Sequence, residues 1–435
     1  MSTATMGDEL VITRTKEVPE SLRRRIASGV FLVVLGVLVA IFLGLTLPSG
    51  HDARLRLGAE GASNVPTIVL PGEATNLLLG LVIAGAGVWQ LVRGFPRSLF
   101  VRVLSGALGL AVLAFFVWMS ARGDGVTIQV VGLLTSTIAL TVPLILGALA
   151  GIMCERSAVI NVAIEGQMIA GAFASALIGS IIGSQVGSIV GLLAGAVAGS
   201  LMGAMLAVFS IRYLVNQVVL GVVLNVFAAG LTGFLYDAFM QQNAESLNTP
   251  EVLNPINIPL LSDIPVIGPL FFQANLIVYI AYVLIVVVDV WLFRTRWGLR
   301  TRAVGEHPKA ADTVGINVLA MRYRNVIIGG AIAGLGGAYF TVGSVGSFQK
   351  NITVGDGFIA LAAVIFGRWS PRGALLAALL FGFTTACQPL IGTNVSFIPS
   401  NVVAMLPYLA TIFAVAGLIG KVRAPAADGE PYIKG

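Results

Sequence analysis

Residues 274–302 read ANLIVYIAYVLIVVVDVWLFRTRWGLRTR. The first part, 274–293, carries a single charge, Asp289, and Arg294, Arg296, Arg300 and Arg302 follow at once. A helix rises about 1.5 Å per residue, so about 20 apolar residues cross the ~30 Å hydrocarbon layer of a bilayer. Arginines crowded just past such a run mark the cytoplasmic end of a span. This stretch therefore reads as a transmembrane helix leading into a basic cytoplasmic loop.

Read the same way, the chain offers candidate spans at 27–47, 76–92, 99–119, 131–153, 158–182, 186–209, 214–238, 274–293, 325–346, 354–367, 373–391 and 399–420. The run at 354–367 is too short for a full crossing, so about 11–12 transmembrane segments are expected. The composition agrees: of 435 residues, 57% are hydrophobic and 11% charged, with a mean hydropathy of +0.94. About a quarter of the residues of a soluble globular chain are charged, which argues against a soluble enzyme. Arg23, Arg24 and Arg25 precede the first run as in a signal peptide. That run is too long for a signal core and no small-residue cleavage site follows, so an uncleaved first helix is expected. The fold class read here is an all-α polytopic membrane protein.

With the N-terminus inside and every run crossing, 22 of the 26 basic residues face the cytoplasm, leaving Arg54, Arg56, Arg122 and Lys350 outside. Shifting the count by one helix destroys this asymmetry, so both termini are expected in the cytoplasm. The net charge of +6 is thereby explained by topology, and nucleic acid is not needed as a partner. Cys154 and Cys387 lie in apolar segments and imply no disulfide framework; with only His51 and His307 there is no metal cluster. No G-x-x-x-x-G-K-[ST], H-E-x-x-H or G-x-S-x-G pattern occurs, and Gly420-Lys421 is followed by Val422. The chain is thus not expected to be an enzyme, and ATP-driven transport would need its ATPase on another polypeptide.

Two connections are long. Residues 239–273 hold Pro250, Pro255, Pro259, Pro265 and Pro269 and should be irregular and external. Residues 294–324 are cytoplasmic, and within them Pro308 can open a short helix that Gly315 stops, with His307 or Glu306 before it. A short structured helix on the cytoplasmic face suits the docking of a soluble partner; a solvated basic loop is the plainer alternative. Gly179, Gly183, Gly187, Gly191, Gly195, Gly199 and Gly203 recur every fourth residue. The last five should form a flat stripe for close packing of the sixth span, the first two belonging to the preceding turn. Gly329, Gly330, Gly334, Gly336 and Gly337 read the same way.

Acidic residues within spans are costly and mark function or special packing. Glu165 in INVAIEGQMIAGAFAS and Asp356 in ITVGDGFIALAAVIFG each precede a glycine and stand 191 residues apart, with Ala172 falling on Ala363. Short glycine-interrupted helices in corresponding halves point to an internal repeat with broken helices lining a transport path. Either carboxylate could instead cap a half-helix. Asn161, Gln167, Asn216, Gln217 and Asn225 should hydrogen-bond between helices. Asp289 is expected to pair with Arg294 or Arg296, and Asp237 to be solvated.

ERSAVINVAIEGQMIAGAFAS (Glu155–Ser175), QVVLGVVLNVFAAGLTGFL (Gln217–Leu235), TRWGLRTRAVGEHPKAADTVGINV (Thr295–Val318) and GDGFIALAAVIFGRWSPRGALLAALLFG (Gly355–Gly382) together resemble the permease family of ABC importers for simple sugars, nucleosides and branched-chain amino acids. The likeness is greatest to the nucleoside-type branch and covers about residues 126–422. Residues 1–125, with three spans, stand as an N-terminal extension, and 423–435 as a cytoplasmic tail. The resemblance implies nucleoside import across a bacterial plasma membrane by alternating access. It also implies a second homologous permease subunit, cytoplasmic ATPase subunits that bind ATP and Mg, and an extracellular lipoprotein substrate-binding protein, with membrane lipid around the spans. Ala303–Asn317 matches the family's ATPase-coupling element, which makes Gly305, Glu306, Ala310, Asp312 and Gly315 the candidate coupling residues. Asn161, Glu165, Asn225, Asp356 and Phe358 are the candidates for the substrate path. A ribose-like sugar is the alternative cargo, and an ion-coupled secondary transporter the alternative mechanism.

Overall fold

In hydrocarbon every backbone amide must find a partner within the chain, and a helix satisfies this locally. The computed structural model follows that rule and describes residues 22–48, 50–58, 67–123, 126–394, 402, 405 and 423–434. Among the described residues ten helices are long and apolar enough to cross a membrane, with one shorter apolar helix at Asp356–Phe366. The last expected span, 399–420, lies almost wholly outside the described residues. The chain forms two compact units, one from Met1–Arg56 and Thr67–Ile128, the other from Leu57–Pro66 and Gln129–Gly435.

The first unit contains α1 (Leu22–Leu38, continued as a π-helix through Leu45), strands β1 (Asp52–Arg56) and β2 (Thr67–Pro71), helices α2 (Gly72–Val92) and α3 (Arg97–Arg122), and the short strand β3 (Thr127–Gln129). The strands form a small sheet in the order β2-β1-β3, an addition to the all-helical expectation. α1 and α2 approach through small residues: a Cβ on Gly36 would stand 2.4 Å from the Ala84 nitrogen, and one on Gly87 2.6 Å from that of Val33. Arg25 donates to the carbonyls of Gln90 (3.1 Å), Leu91 (2.9 Å) and Val92, so a cation closes the negative end of α2.

The second unit contains α4 (Val130–Glu155), α5 (Ile164–Ile182), α6 (Ser184–Ala207, extended as a π-helix to Arg212), α7 (Gln217–Leu235, extended to Met240) and the single turn α8 (Ala244–Leu247). The proline-bearing connection that follows is largely irregular, with strand pair β4 (Ile256–Asn257) and β5 (Gln273–Ala274). Then come α9 (Leu276–Arg294), α10 (Arg296–Glu306), α11 (Pro308–Thr313), α12 (Val318–Phe340, extended to Val345), α13 (Asp356–Phe366) and α14 (Pro371–Asn394).

Shifted by 191 residues, Val130, Ile164 and Ser184 fall on positions 321, 355 and 375, beside the starts of α12, α13 and α14 at Val318, Asp356 and Pro371. The packing repeats this correspondence: α4 lies against α13 and α14, as α12 lies against α5 and α6. Each three-helix repeat thus packs its first helix into the other. α4 is the axis of the core, buried continuously from Thr141 to Glu155. The glycine stripe lies on α6 as expected: a Cβ on Gly199 would sit 2.2 Å from the Gly330 oxygen, and one on Gly334 the same distance from that of Gly195. Gly179 belongs to α5, and Gly183, at φ +68°, makes the turn into α6.

Several expectations are corrected. The fifth span starts at Ile164, not 158, because 156–163 runs as irregular chain whose polar groups are met by side chains of α7. The ninth span starts at Val318, so Arg322 and Arg324 lie on α12, and most of the loop expected at 294–324 is itself helical. Asp289 pairs with Arg372 at 2.8 Å rather than with Arg294 or Arg296. Arg294 is five residues along α9, off the face that holds Asp289, whereas α14 brings Arg372 to it. Asp237 is exposed to solvent as expected, and it also pairs with Lys350 at 2.5 Å.

Candidate functional site

α5 and α13 are the second helices of the two repeats, and their N-termini abut. A Cβ on Gly357 would lie 2.5 Å from the backbone nitrogen and Cα of Glu165, so only glycine allows this approach. Glu165, 7% exposed, reaches across the junction. Its Oε1 accepts from the Thr353 hydroxyl and the Gly355 N–H (2.9 Å), and its Oε2 from the Gly357 N–H (2.7 Å). The carboxylate therefore caps the half-helix of the opposite repeat rather than its own. Two unpaired donors and the positive end of a helix account for a buried acidic group here. Gly355 adopts φ +89°, the left-handed backbone that aims both N–H groups at one carboxylate.

Asp356 occupies the equivalent place in the first turn of α13, near enough to Glu165 for their charges to interact. Its side chain makes no hydrogen bond among the described residues. Phe358, two residues on, is 50% exposed. The junction thus offers one acidic group spent on structure, one unspent, and an open aromatic face.

The break before α5 is held from the side. Asn225 on α7 accepts from the Gly166 N–H (2.7 Å) and donates to the Val162 carbonyl (2.9 Å), spanning the point where the helix begins. Gln217 accepts the Ile160 N–H at 2.7 Å. Asn161, fully buried, donates to Gln167 at 3.0 Å. Asn225 thus bonds between helices as expected and Gln217 reaches the irregular chain before α5, whereas Asn161 and Gln167 pair with each other locally and Asn216 caps its own helix α7.

At the other end of α4 and α13 lies a second polar cluster. The Trp369 indole donates to the buried Glu155 carboxylate, and the Arg156 Nε donates to the Trp369 carbonyl (2.9 Å). These bonds tie the ends of the two helices together. Gly305 of α10 sits directly on this knot, since a Cβ there would come 2.4 Å from the Arg156 oxygen. Burial lowers the Arg156 guanidinium from its ordinary value, with Glu306 opposing and Arg302 adding to that effect.

α10 and α11 form the expected helical element. The Thr295 hydroxyl caps α10 by accepting the Gly298 N–H, Pro308 begins α11, and Gly315 at φ +83° ends it. The closing bonds, Gly315 N–H to Asp312 O (2.9 Å) and Ile316 N–H to Ala311 O (3.0 Å), are those of a Schellman motif. Glu306, Ala310 and Gly315 are exposed, Val314 is 75% exposed, Gly305 is buried and Asp312 half-buried. Sequence reasoning missed Thr353 and Trp369; Thr353 could have been found as a hydroxyl beside the Gly355-Asp356-Gly357 interruption, whereas nothing local marked Trp369. No group of metal-ligating side chains is present among the described residues.

The family described as the permease component of branched-chain amino acid transport systems matches residues 133–416. The nucleoside ABC transporter permease NupC of Lactococcus lactis subsp. cremoris is 40% identical over 298 residues, 67% of this chain and 93% of that protein. The guanosine ABC transporter permease NupQ of Bacillus subtilis is 41% identical over 308 residues, 69% of this chain and 96% of that one. A putative glucose ABC transporter permease of Haloferax volcanii, TsgC13, is 33% identical over 257 residues, 59% of this chain and 77% of that protein. No solved structure matches.

Proposed function

The chain belongs to the permease family of branched-chain amino acid transport systems, and from that membership we propose that it is the membrane-spanning subunit of an ABC importer that carries nucleosides across the plasma membrane. ATP hydrolysis, with its Mg, belongs to separate cytoplasmic ATPase subunits. A second permease subunit and an external lipoprotein that delivers substrate complete the assembly, and both termini of this chain lie in the cytoplasm.

The observation that carries the reading is the junction of α5 and α13. Helix N-termini meeting at a glycine-lined break are the usual place for a solute between inverted repeats. Glu165 is committed to three hydrogen bonds and holds the junction. Asp356 and Phe358 remain for the cargo, a neutral solute rich in hydroxyl and amide groups with a flat base to lay on an aromatic ring. Asn161 and Asn225 keep the break open. On the cytoplasmic side Glu306, Ala310 and Gly315 present the surface to the ATPase. Gly305 and Asp312 pass its movement inward, Gly305 pressing on Arg156 and so on the ends of α4 and α13. Rigid rocking of one repeat against the other would alternate access.

The test is uptake of labelled uridine, guanosine and ribose by cells with and without this chain, and with the companion ATPase intact or disabled. Loss of nucleoside uptake in both deficient strains, with ribose unaffected, is expected. Ribose loss alone would move the cargo to sugars, and loss that ignores the ATPase would point to an ion-coupled carrier.

A further inference from the structure

The segment after the last expected span, residues 423–434, is not a solvated tail. Pro425, Ala427 and Tyr432 are buried, Ala427 at 4% and Tyr432 at 7% exposed. The Ala427 N–H donates to the Gly305 carbonyl (3.0 Å) and the Ala426 N–H to the Glu306 carboxylate (3.3 Å). The Ala427 N–H thus meets one of the last carbonyls of α10, which lack a partner within the helix, and the Ala426 N–H holds the Glu306 side chain. Gly429, at φ +79°, passes close over Ile160 in the break before α5, where a Cβ would lie 2.7 Å from the isoleucine side chain. The Tyr432 ring packs with Val304, Ala311, Val318 and Met321 of α10, α11 and α12.

Arg322 depends on this segment. It is 2% exposed on α12, where a guanidinium needs acceptors. The tail supplies the Glu430 carbonyl (3.0 Å), the Tyr432 ring (5.9 Å to its centroid) and the charge of Asp428. One short segment thus touches α10, α11, α12 and the break that leads to Glu165.

We propose that Pro425–Tyr432 is a clasp that binds the inner side of α10 and α11 to the break before α5, so that a push on the exposed side moves all of them as one body. The clasp rests on the importer reading only for what that push is; its docking stands on this chain alone. It makes these residues positioning residues for transport.

The neighbouring alanines give the direct test. Ala426 is exposed and Ala427 is not, while Cys154 and Cys387 are both buried. In purified full-length protein, Ala427→Cys should react with a maleimide at least about tenfold more slowly than Ala426→Cys. Adding Tyr432→Ala should abolish that difference, and Tyr432→Phe, which keeps the ring, should largely restore it. Equal rates in the two single variants would overturn the docking. With the ATPase present, Tyr432→Ala or a chain ending at residue 424 should keep ATPase binding and ATP turnover yet transport about tenfold less solute per ATP. Unchanged transport per ATP in both would overturn the clasp. Failure of the unsubstituted chain to carry nucleoside would sink the cargo assignment instead, and the labelling arm would still decide the docking.

Discussion

Glu165→Gln isolates what the cross-repeat cap contributes. The carboxylate uses both oxygens, one for Thr353 and Gly355 and the other for Gly357. A carboxamide has one acceptor oxygen; if it keeps the first pair, its NH2 faces the Gly357 N–H, donor against donor. Losing a hydrogen bond to a charged group costs about 1.5–3 kcal/mol. Removing a negative charge from a helix N-terminus costs about 0.3–1 kcal/mol more. Relief of repulsion from Asp356 offsets part of this, leaving roughly 2–3 kcal/mol. At about 1.4 kcal/mol per decade, local opening around the start of α13 should rise roughly 30- to 140-fold. Hydrogen exchange by mass spectrometry on peptides covering residues 353–358 reads this directly. Asp356→Asn removes no hydrogen bond to the described residues, so it should leave exchange there within about threefold while reducing nucleoside uptake. Unchanged exchange in Glu165→Gln would refute the cap. Equal loosening in both variants would refute the division of labour between the two carboxylates.

Other consequences follow from the same contacts. Gly199→Val should abolish accumulation of folded protein, because a Cβ there meets the Gly330 oxygen at 2.2 Å, whereas Gly230→Ala, with open space around it, should express normally; membrane yield on gel filtration separates them. Gly305→Val should leave insertion intact but cut uptake, since its side chain must displace the Arg156 carbonyl, while Ala310→Arg on the exposed face should weaken ATPase co-purification; equal ATPase retention in both would sink the distinction. Burial raises the Asp428 carboxyl above the usual carboxylate range, with Arg322 and the Gly429 N–H pulling it back and Glu155 and Cys154 nearby. The docked tail therefore binds more protons than the free one in the window between the ordinary aspartate value and the raised one. Docking weakens as pH rises through that window. Maleimide labelling of Ala427→Cys should accordingly speed up with rising pH, and Asp428→Asn should flatten the profile.

Much of the architecture was legible because it is local. The run at 354–367 showed itself too short to cross, and the glycines every fourth residue announced a face for close contact, whose partners proved to be Gly330 and Gly334. Pro308 and Gly315 marked the ends of α11. Glu165 was legible as a residue needing an explanation. Its partners were not, because Thr353, Gly355 and Gly357 lie nearly two hundred residues away and only the packing of the repeats brings them near. Arg156 and Gly305 met for the same reason.

What the chain's own order of residues determined is its division into membrane-crossing helices and the places where they break. Burial of apolar side chains and pairing of backbone amides are settled residue by residue, whatever the neighbours. The tertiary structure alone decided which charge answers which: Arg372 for Asp289, the α13 amides for Glu165, the tail for Arg322. In a low-dielectric interior a polar group must find a partner within hydrogen-bond reach, and that partner is chosen by which helices lie side by side, a property no local stretch of sequence contains.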